Sequence, residues 1–163
     1  MNCKLFNLFF VFLCMLTSCK GTLDLSAHVH VPYCGGAKPT PEMEKGRLDP
    51  LDSVFVTKKS GQKIKTTKIP LDINGFAQIK LPMGSYSLYH IHKGLPVHEF
   101  NKLYRPKNNK WYTYKGDSCL CKYMSTPDAE FEVSKKTELK VIVKSRCYTG
   151  INPCIDYSGP LRP

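Results

Sequence analysis

Short runs of alternating or β-branched residues, separated by Gly, Pro and Asn, recur along this chain from His28 onward. Such runs predict β-strands, because neighbouring residues of a strand point to opposite faces and turn residues end each strand. The runs lie at 28–34, 53–58, 63–68, 75–80, 85–92, 129–133 and 139–146. About seven strands in one domain predict an all-β fold, an antiparallel β-sandwich.

Two long connections, at about 35–52 and 93–110, interrupt the strand-like runs. Neither shows the periodicity of an amphipathic helix, and the first is rich in proline. Only Pro41-Glu42-Met43-Glu44 could supply a short helical turn. We therefore expect irregular structure in both connections.

The first 18 residues have the layout of a secretory signal peptide. One basic residue, Lys4, precedes an apolar run from Leu5 to Leu16 that only Asn7 interrupts, and small residues follow. The run is too short to span a bilayer, which takes about 20 residues. We expect residues 1–18 to be removed on export.

The residues Leu16-Thr17-Ser18-Cys19 resemble the lipobox of bacterial lipoproteins. In that family the cysteine becomes the new N-terminus and carries acyl chains. The resemblance implies that Cys19 is lipidated, with palmitate as one acyl group, and that the protein is anchored in the cell envelope. The outer membrane is the expected site, with the protein on its periplasmic or its surface face. An ordinary signal peptide followed by a free cysteine remains the alternative.

This processing predicts three parts of the chain: the signal peptide 1–18, a tether 19–27, and a sandwich domain 28–163 with a Cys-containing tail.

The whole chain has 24 basic and 13 acidic residues. Since only Lys4 falls in the signal, 23 − 13 leaves a charge of +10 on the mature chain. In an exported protein this charge suggests an anionic envelope component as a partner rather than nucleic acid. We favour the simpler interpretation that the lysines form solvated sheet faces and protect strand edges.

Six cysteines remain after residue 18: Cys19, Cys34, Cys119, Cys121, Cys147 and Cys154. If Cys19 carries lipid, the other five cannot all pair within one chain, so one is free, pairs with another molecule, or some bind metal. Cys147 and Cys154 could close a small loop and are the first disulfide candidate. Cys119 and Cys121 would share one face of an extended strand and reach different partners.

The segment 67–88 contains a turn and a corner that its local chemistry explains. Asp72 can cap the turn, and Asn74-Gly75 supplies the reversal of the chain. Gly84 is expected to adopt an unusual backbone angle. Tyr86 can then pack its ring in the core and return its hydroxyl to the backbone, as in a tyrosine corner.

This segment resembles the transthyretin-like, or carboxypeptidase regulatory-like, β-sandwich family. A D-x-N/D-G-F turn and an L-P-x-G-x-Y-x-L corner recur together there. The resemblance is close over about 22 residues and loose over 28–147. It implies a transthyretin-like or Ig-like sandwich that serves as an accessory or binding module without catalytic residues. The additional cysteines, an insertion at 93–125 and the Cys-containing tail depart from the family and should hold what is particular to this protein.

Histidines and cysteines form a candidate metal site. Strand alternation places His28 and His30 on one face near Cys34, and places His90 and His92 on the core-facing side of another strand. Imidazole and thiolate suit Zn²⁺ or copper. Surface histidines together with two structural disulfides are the interpretation we favour, and no other cofactor is expected.

A catalytic site is not expected. Cys34 could act as a nucleophile with His90 or His92 as base, but no third group at a recognisable spacing would orient them. The chain contains none of the common hydrolase, metalloprotease, phosphate-loop or dinucleotide motifs. We therefore expect the protein not to be an enzyme.

Four aromatic residues in the insertion could form a stacking surface for a sugar or a peptide. Basic residues lie between these four, which are Tyr104, Trp111, Tyr112 and Tyr114. Packing of alternate members on the sandwich is the equally weighted alternative.

The leading hypothesis is a lipid-anchored, non-enzymatic binding module for a glycan, a peptide or an envelope protein. The second is a Zn- or Cu-binding envelope lipoprotein.

Overall fold

The computed structural model describes residues 19–36, 38–60, 63–106 and 110–160. The strands are β1 (Lys20–Val31), β2 (Arg47–Pro50), β3 (Ser53–Ser60), β4 (Lys63–Pro70), β5 (Phe76–Pro82), β6 (Gly84–His90), β7 (Tyr112–Tyr114), β8 (Ala129–Val133), β9 (Lys136–Lys144) and β10 (Ile155–Tyr157). The helices are α1 (Pro41–Glu44), α2 (Val97–Tyr104) and α3 (Asp117–Ser125), and a 3₁₀ turn covers Ile91–Gly94. Among the described residues, no helix is long and apolar enough to cross a membrane.

The strands form two larger sheets and one small one. In the first, β9 pairs with one edge of β1 and β5 pairs with the other, where β2 continues the pairing beyond β5. The second has the order β4-β3-β6-β8, and the small sheet pairs β7 with β10. Inward side chains of β1 and of the second sheet belong to one buried cluster. The predicted predominance of β-structure in several antiparallel sheets is confirmed, and the arrangement is consistent with a β-sandwich.

The tether predicted at 19–27 is wrong, because β1 begins at Lys20. Leu23, Leu25 and Ala27 point into the core and are at most 1% exposed. They alternate with Thr22, Asp24 and Ser26, which is the period-two pattern of a strand with one buried face. Cys19 is therefore joined directly to the central strand of a sheet.

The pairing of β1 with β9 is parallel, so the prediction of a purely antiparallel sandwich is wrong for this pair. The chain passes from β8 in the second sheet to β9 in the first through Ser134 and Lys135. This crossing starts β9 at the same end of the molecule as β1, and the two strands consequently run in the same direction.

Two helices occupy the insertion, where the sequence predicted none. The helix α2 buries Phe100 and α3 buries Leu120, while their other faces are largely exposed. Helices this short depend on tertiary packing for their stability, so their own periodicity is a weak signal. The short turn predicted at Pro41 is confirmed as α1, and the side chain of Thr40 caps it by accepting from the Met43 amide.

The local predictions for 67–88 are confirmed. One oxygen of Asp72 accepts the backbone amides of Asn74 and Phe76, and Gly75 has φ 77°. Gly84 has φ 133°, a backbone conformation that L side chains rarely adopt. The Tyr86 ring is buried, and its hydroxyl donates to the Pro82 carbonyl at 2.7 Å.

Two disulfides are present, and neither is the predicted pair Cys147–Cys154. Cys34 bonds to Cys147, and Cys119 bonds to Cys154. The first joins the segment after β1 to the segment after β9, and the second joins α3 to the start of β10. Cys119 and Cys121 lie on a helix rather than on a strand, so they do not share a face. Cys19 and Cys121 are exposed free cysteines.

Candidate functional site

An aromatic groove lies beside the small sheet formed by β7 and β10. Tyr112 and Tyr114 are two apart on β7, and their cross-strand neighbours are Tyr157 and Ile155. Residues two apart on a strand, and residues opposite each other across a pair, share a face. The groove encloses about 370 Å³ and is lined by Arg105, Pro106, Tyr112, Thr113, Tyr114 and Ile155.

A cation and a neutral phenol define the polar character of this groove. The Arg105 guanidinium lies 4.8 Å from the centroid of the Tyr114 ring, a cation–π arrangement. The Tyr114 hydroxyl donates to Asp117 at 2.6 Å. Burial, followed by this hydrogen bond, raises the pKa of Tyr114, so the phenol stays protonated at neutral pH. The groove therefore offers one positive charge beside flat apolar rings.

Further aromatic rings extend this surface along the edge of the small sheet. The Tyr112 ring is 5.1 Å from that of Tyr157, which in turn lies 4.4 Å from that of Tyr148. Trp111 is 37% exposed, and the Lys110 ammonium lies 4.7 Å from its ring centroid. Rings spaced in this way can stack on a flat ligand and provide area at low entropic cost.

The groove is held rigidly by covalent and backbone links. The disulfide Cys119–Cys154 fixes β10 to α3. The Lys115 amide donates to the Cys154 carbonyl, and the Ser158 amide donates to the Trp111 carbonyl, both at 2.9 Å. A site whose walls are already fixed loses less entropy when a ligand binds.

Two of the four predicted aromatic residues, Tyr112 and Tyr114, come together in the groove; Trp111 directly precedes β7 and is not among the residues that line it. Tyr104 lies elsewhere, half-buried on α2, with its hydroxyl 2.7 Å from Nδ1 of His92. Sequence reasoning missed Tyr148, Tyr157 and Ile155, because the tail reaches β7 only through the pairing of β10. A correct prediction that Cys119 bonds to Cys154 would have placed the tail beside this site.

The predicted metal ligands do not converge. His28 and His30 share the outer face of β1 as predicted, and their Nε2 atoms lie 3.0 and 2.9 Å from the carbonyls of Asn74 and Lys45. His90 and His92 lie together at a different place, and Cys34 is in a disulfide. Within the described ranges, no group of three or more His, Cys, Asp or Glu could hold a metal ion.

His90 belongs to a buried polar cluster instead. Its Nδ1 lies 2.8 Å from one oxygen of Asp128, and the other oxygen of Asp128 accepts from the Lys93 ammonium at 2.7 Å. The Tyr123 hydroxyl is 3.3 Å from Nε2 of His90, and the Lys93 ammonium lies over the Tyr123 ring at 4.4 Å. The contact with the Asp128 carboxylate places a proton on Nδ1 of His90, which donates it to Asp128.

The charges of this cluster are set by burial and by the partners. Burial raises the pKa of Asp128, but the hydrogen bonds and charge of His90 and the hydrogen bond from Lys93 outweigh it, so that pKa lies below its usual range. Burial, and then the Asp128 charge, raises the pKa of Tyr123. Burial, and then the charge of His90, lowers the pKa of His92.

The Asp128–His90–Tyr123 chain has the residue types of a catalytic relay but lacks access. The His90 side chain is fully buried, and both ring nitrogens face partners inside the protein. Cys34, a candidate nucleophile for a catalytic site that the sequence does not favour, is bonded to Cys147 and has no thiolate to offer in this form. The cluster connects β6 and the 3₁₀ turn to the segment before β8.

No family model matches the chain, and no similar curated protein or solved structure is found.

Proposed function

We propose that the protein is an exported, lipid-anchored β-sandwich of transthyretin-like type that acts as a non-enzymatic binding module. Its ligand is a glycan that carries carboxylate groups, and it binds in the groove beside β7 and β10. The observation that supports this most is the combination of fixed aromatic rings with the Arg105 guanidinium in one groove.

The chemistry of the groove matches an acidic sugar chain. Tyr112 lines the groove and offers a ring on which the apolar face of a sugar ring can pack, while Arg105 lies over the neighbouring Tyr114 ring. Arg105 adds a planar cation, and guanidinium groups bind carboxylates through paired hydrogen bonds. The basic balance of the chain, 24 basic against 13 acidic residues, favours the approach of a polyanion.

Export is supported by the cysteine chemistry as well as by the leader. Disulfides persist in oxidising compartments and are rare in the cytosol. The two disulfides lie in one domain and connect segments that are 113 and 35 residues apart. Both fit a protein that folds outside the cytoplasm after cleavage at the lipobox-like residues before Cys19.

The groove lies at the end of the sandwich opposite to Cys19. The 12 residues of β1 separate Cys19 from the far end, a span of about 40 Å at roughly 3.3 Å per residue. Beyond that end, Tyr148 donates to the Cys34 carbonyl, and Arg146 donates to the Ile155 carbonyl of β10. An acyl chain on Cys19 would thus hold the protein with its binding groove directed away from the membrane.

Binding to polygalacturonate and to its methyl-esterified form tests this assignment, because the two polymers differ in carboxylate charge. We expect the processed, detergent-solubilised protein to bind the acidic form. Tyr112→Ala should weaken binding about tenfold through loss of stacking, whereas Tyr112→Phe should retain most of it. Arg105→Gln should remove the preference for the acidic form. Phe76→Ala, an exposed aromatic on another sheet, is the matched control.

Equal binding of the two polymers by the unaltered protein would refute the acidic ligand. Unchanged affinity in both Tyr112→Ala and Arg105→Gln would refute the groove. If extended peptides bind at the groove and neither polymer binds, the ligand is a peptide rather than a glycan.

A further inference from the structure

The end of the sandwich next to Cys19 is strongly basic. We define the anchor end as the start of β1, the end of β5, the paired ends of β3 and β4 at Ser60 and Lys63, and the β8–β9 turn, which the strand registers bring to one level. Six exposed lysines lie there: Lys20, Lys63, Lys65, Lys80, Lys135 and Lys136. The carboxylates at this level are those of Asp24, Glu132 and Glu138.

Little of this positive charge is neutralised within the protein. Among the described residues, only Lys136 of these six has carboxylates within ion-pair distance, Glu138 at 3.1 Å and Asp24 at 3.8 Å. Lys58 and Lys65 lie directly opposite each other on β3 and β4, and like charges in that position destabilise a strand pair. Lys58 relieves part of this by donating to the Met83 carbonyl. An external anion would reduce the remaining repulsion between the two lysine charges.

The opposite end of the molecule has a different charge balance. Residues 38–52 and Asp72 carry five carboxylates against Lys38, Lys45 and Arg47. Arg47 is paired with Asp49 in the exposed β2 strand. The part of the far end around β2 is therefore less positive than the anchor end, while Arg105, Lys144 and Arg146 add positive charge elsewhere at the far end.

Apolar side chains accompany the lysines at the anchor end. Met83 is 36% exposed, and its amide donates to the Cys19 carbonyl at 2.9 Å. Ile64, between Lys63 and Lys65 on β4, is 67% exposed. A surface that combines lysines with exposed apolar side chains suits the boundary between lipid headgroups and acyl chains.

We infer that the anchor end docks directly on a membrane surface that contains anionic lipid headgroups. This inference rests on the proposed acylation of Cys19. Because β1 begins at Lys20, an acyl chain on Cys19 would leave no linker between the bilayer and the sandwich. The lysines then lie within a few ångströms of the headgroups, inside the Debye length of about 8 Å at physiological salt. One acyl anchor and a basic surface together give a stable attachment and a single orientation.

Lysine footprinting of the processed protein on vesicles tests the docking. The protein is reconstituted into phosphatidylcholine vesicles with or without about a third phosphatidylglycerol. Labelling by a membrane-impermeant amine reagent is then followed by mass spectrometry. On the anionic vesicles we expect Lys20, Lys63, Lys80 and Lys135 to react at least about threefold more slowly. Lys45 and Lys144, exposed lysines away from the anchor end, should be unaffected. About 0.5 M salt should abolish the difference.

A charge-reversed variant provides the matched comparison. Lys63→Glu, Lys80→Glu and Lys135→Glu together change exposed positions and should remove the protection of Lys20. The same change at Lys45, Lys102 and Lys144 should leave it intact. Equal labelling on the two vesicle types, or protection that survives reversal at the anchor end, would overturn the inference.

Retention on the neutral vesicles reports the acyl anchor by itself. Protein that does not float with neutral vesicles lacks the anchor, which contradicts the proposed function. The footprint on anionic vesicles still tests the docking in that case, since the lysines are present without the lipid.

Discussion

A single carboxylate, that of Asp128, accepts from three groups of one other segment, His90 to Lys93. It accepts from the backbone amide and ring of His90 and from the Lys93 ammonium, whose side chain is only 3% exposed. A buried ion pair of this kind need not add net stability compared with apolar packing. Removing one member, however, leaves a buried charge without its partner, so the cluster is sensitive to single substitutions.

Asp128→Asn is expected to lower the free energy of unfolding by about 3 kcal/mol near neutral pH, because it leaves the Lys93 charge buried without its counter-charge. The folded-state pKa of Asp128 is lowered from its ordinary 3.8, so the ionised carboxylate stabilises the fold above that value. This contribution is lost as the pH falls through the lower folded-state pKa. The stability difference between the two proteins should therefore narrow below about pH 3.8.

Urea unfolding curves between neutral and strongly acidic pH measure this difference. Asp156→Asn is the matched control, because Asp156 pairs with Lys115 at the exposed surface and should contribute less than about 0.5 kcal/mol. A constant difference across the whole pH range would show that the charge of Asp128 does not stabilise the cluster.

At the scale of secondary-structure elements, β1 is the strand around which the first sheet is built. It pairs along one edge with β9 and along the other with β5 and β2. Its inward residues meet Val54, Val56 and Leu88 of the second sheet in one buried cluster. A strand with both edges paired and one face buried belongs to the most stable part of a protein.

Leu25→Ala is expected to destabilise the protein by about 3 kcal/mol, because it removes a side chain that is 1% exposed and leaves a cavity. Ile64→Ala, at an exposed position of β4, should change stability by less than about 0.5 kcal/mol. Denaturant unfolding of both variants measures the contrast. Equal, small effects would mean that residues 20–27 are not part of the folded core.

At the scale of the whole molecule, the two disulfides and the proposed anchor act on opposite ends. Cys34–Cys147 closes the end of the sandwich beyond β1 and β9, and Cys119–Cys154 attaches the small sheet to α3. Cys19 lies at the other end, beside Met83. One end of the molecule thus carries the two disulfides and the groove, and the other, basic end carries the proposed attachment point.

Thiol titration of the mature protein discriminates between the two leader hypotheses. Residues 19–163 contain six cysteines, and subtracting the four in disulfides leaves Cys19 and Cys121. An acylated Cys19 has its sulfur in a thioether, so denatured, non-reduced protein should show one reactive thiol and a fatty-acid mass. Cys121→Ser should then show none. Two thiols without fatty acid would favour an ordinary signal peptide.

The sequence by itself determined the features that depend on neighbours a few residues apart. The turn at Asp72 and the hydroxyl contact of Tyr86 each join residues four apart in the chain, and the conformation of Gly84 is a property of that one residue. The local residues therefore suffice to predict all three. The strand pattern belongs to the same class, since alternation is a local property.

Only the tertiary structure decided which distant segments meet. The bond between Cys34 and Cys147, the parallel pairing of β1 with β9, the burial of His90 against Asp128 and the aromatic groove all join residues far apart in the chain. Each depends on which strands pair and on where the chain passes between sheets, and many such arrangements are compatible with the same local patterns. The core that buries β1 against the second sheet selects one of them, because only that arrangement removes its inward side chains from water.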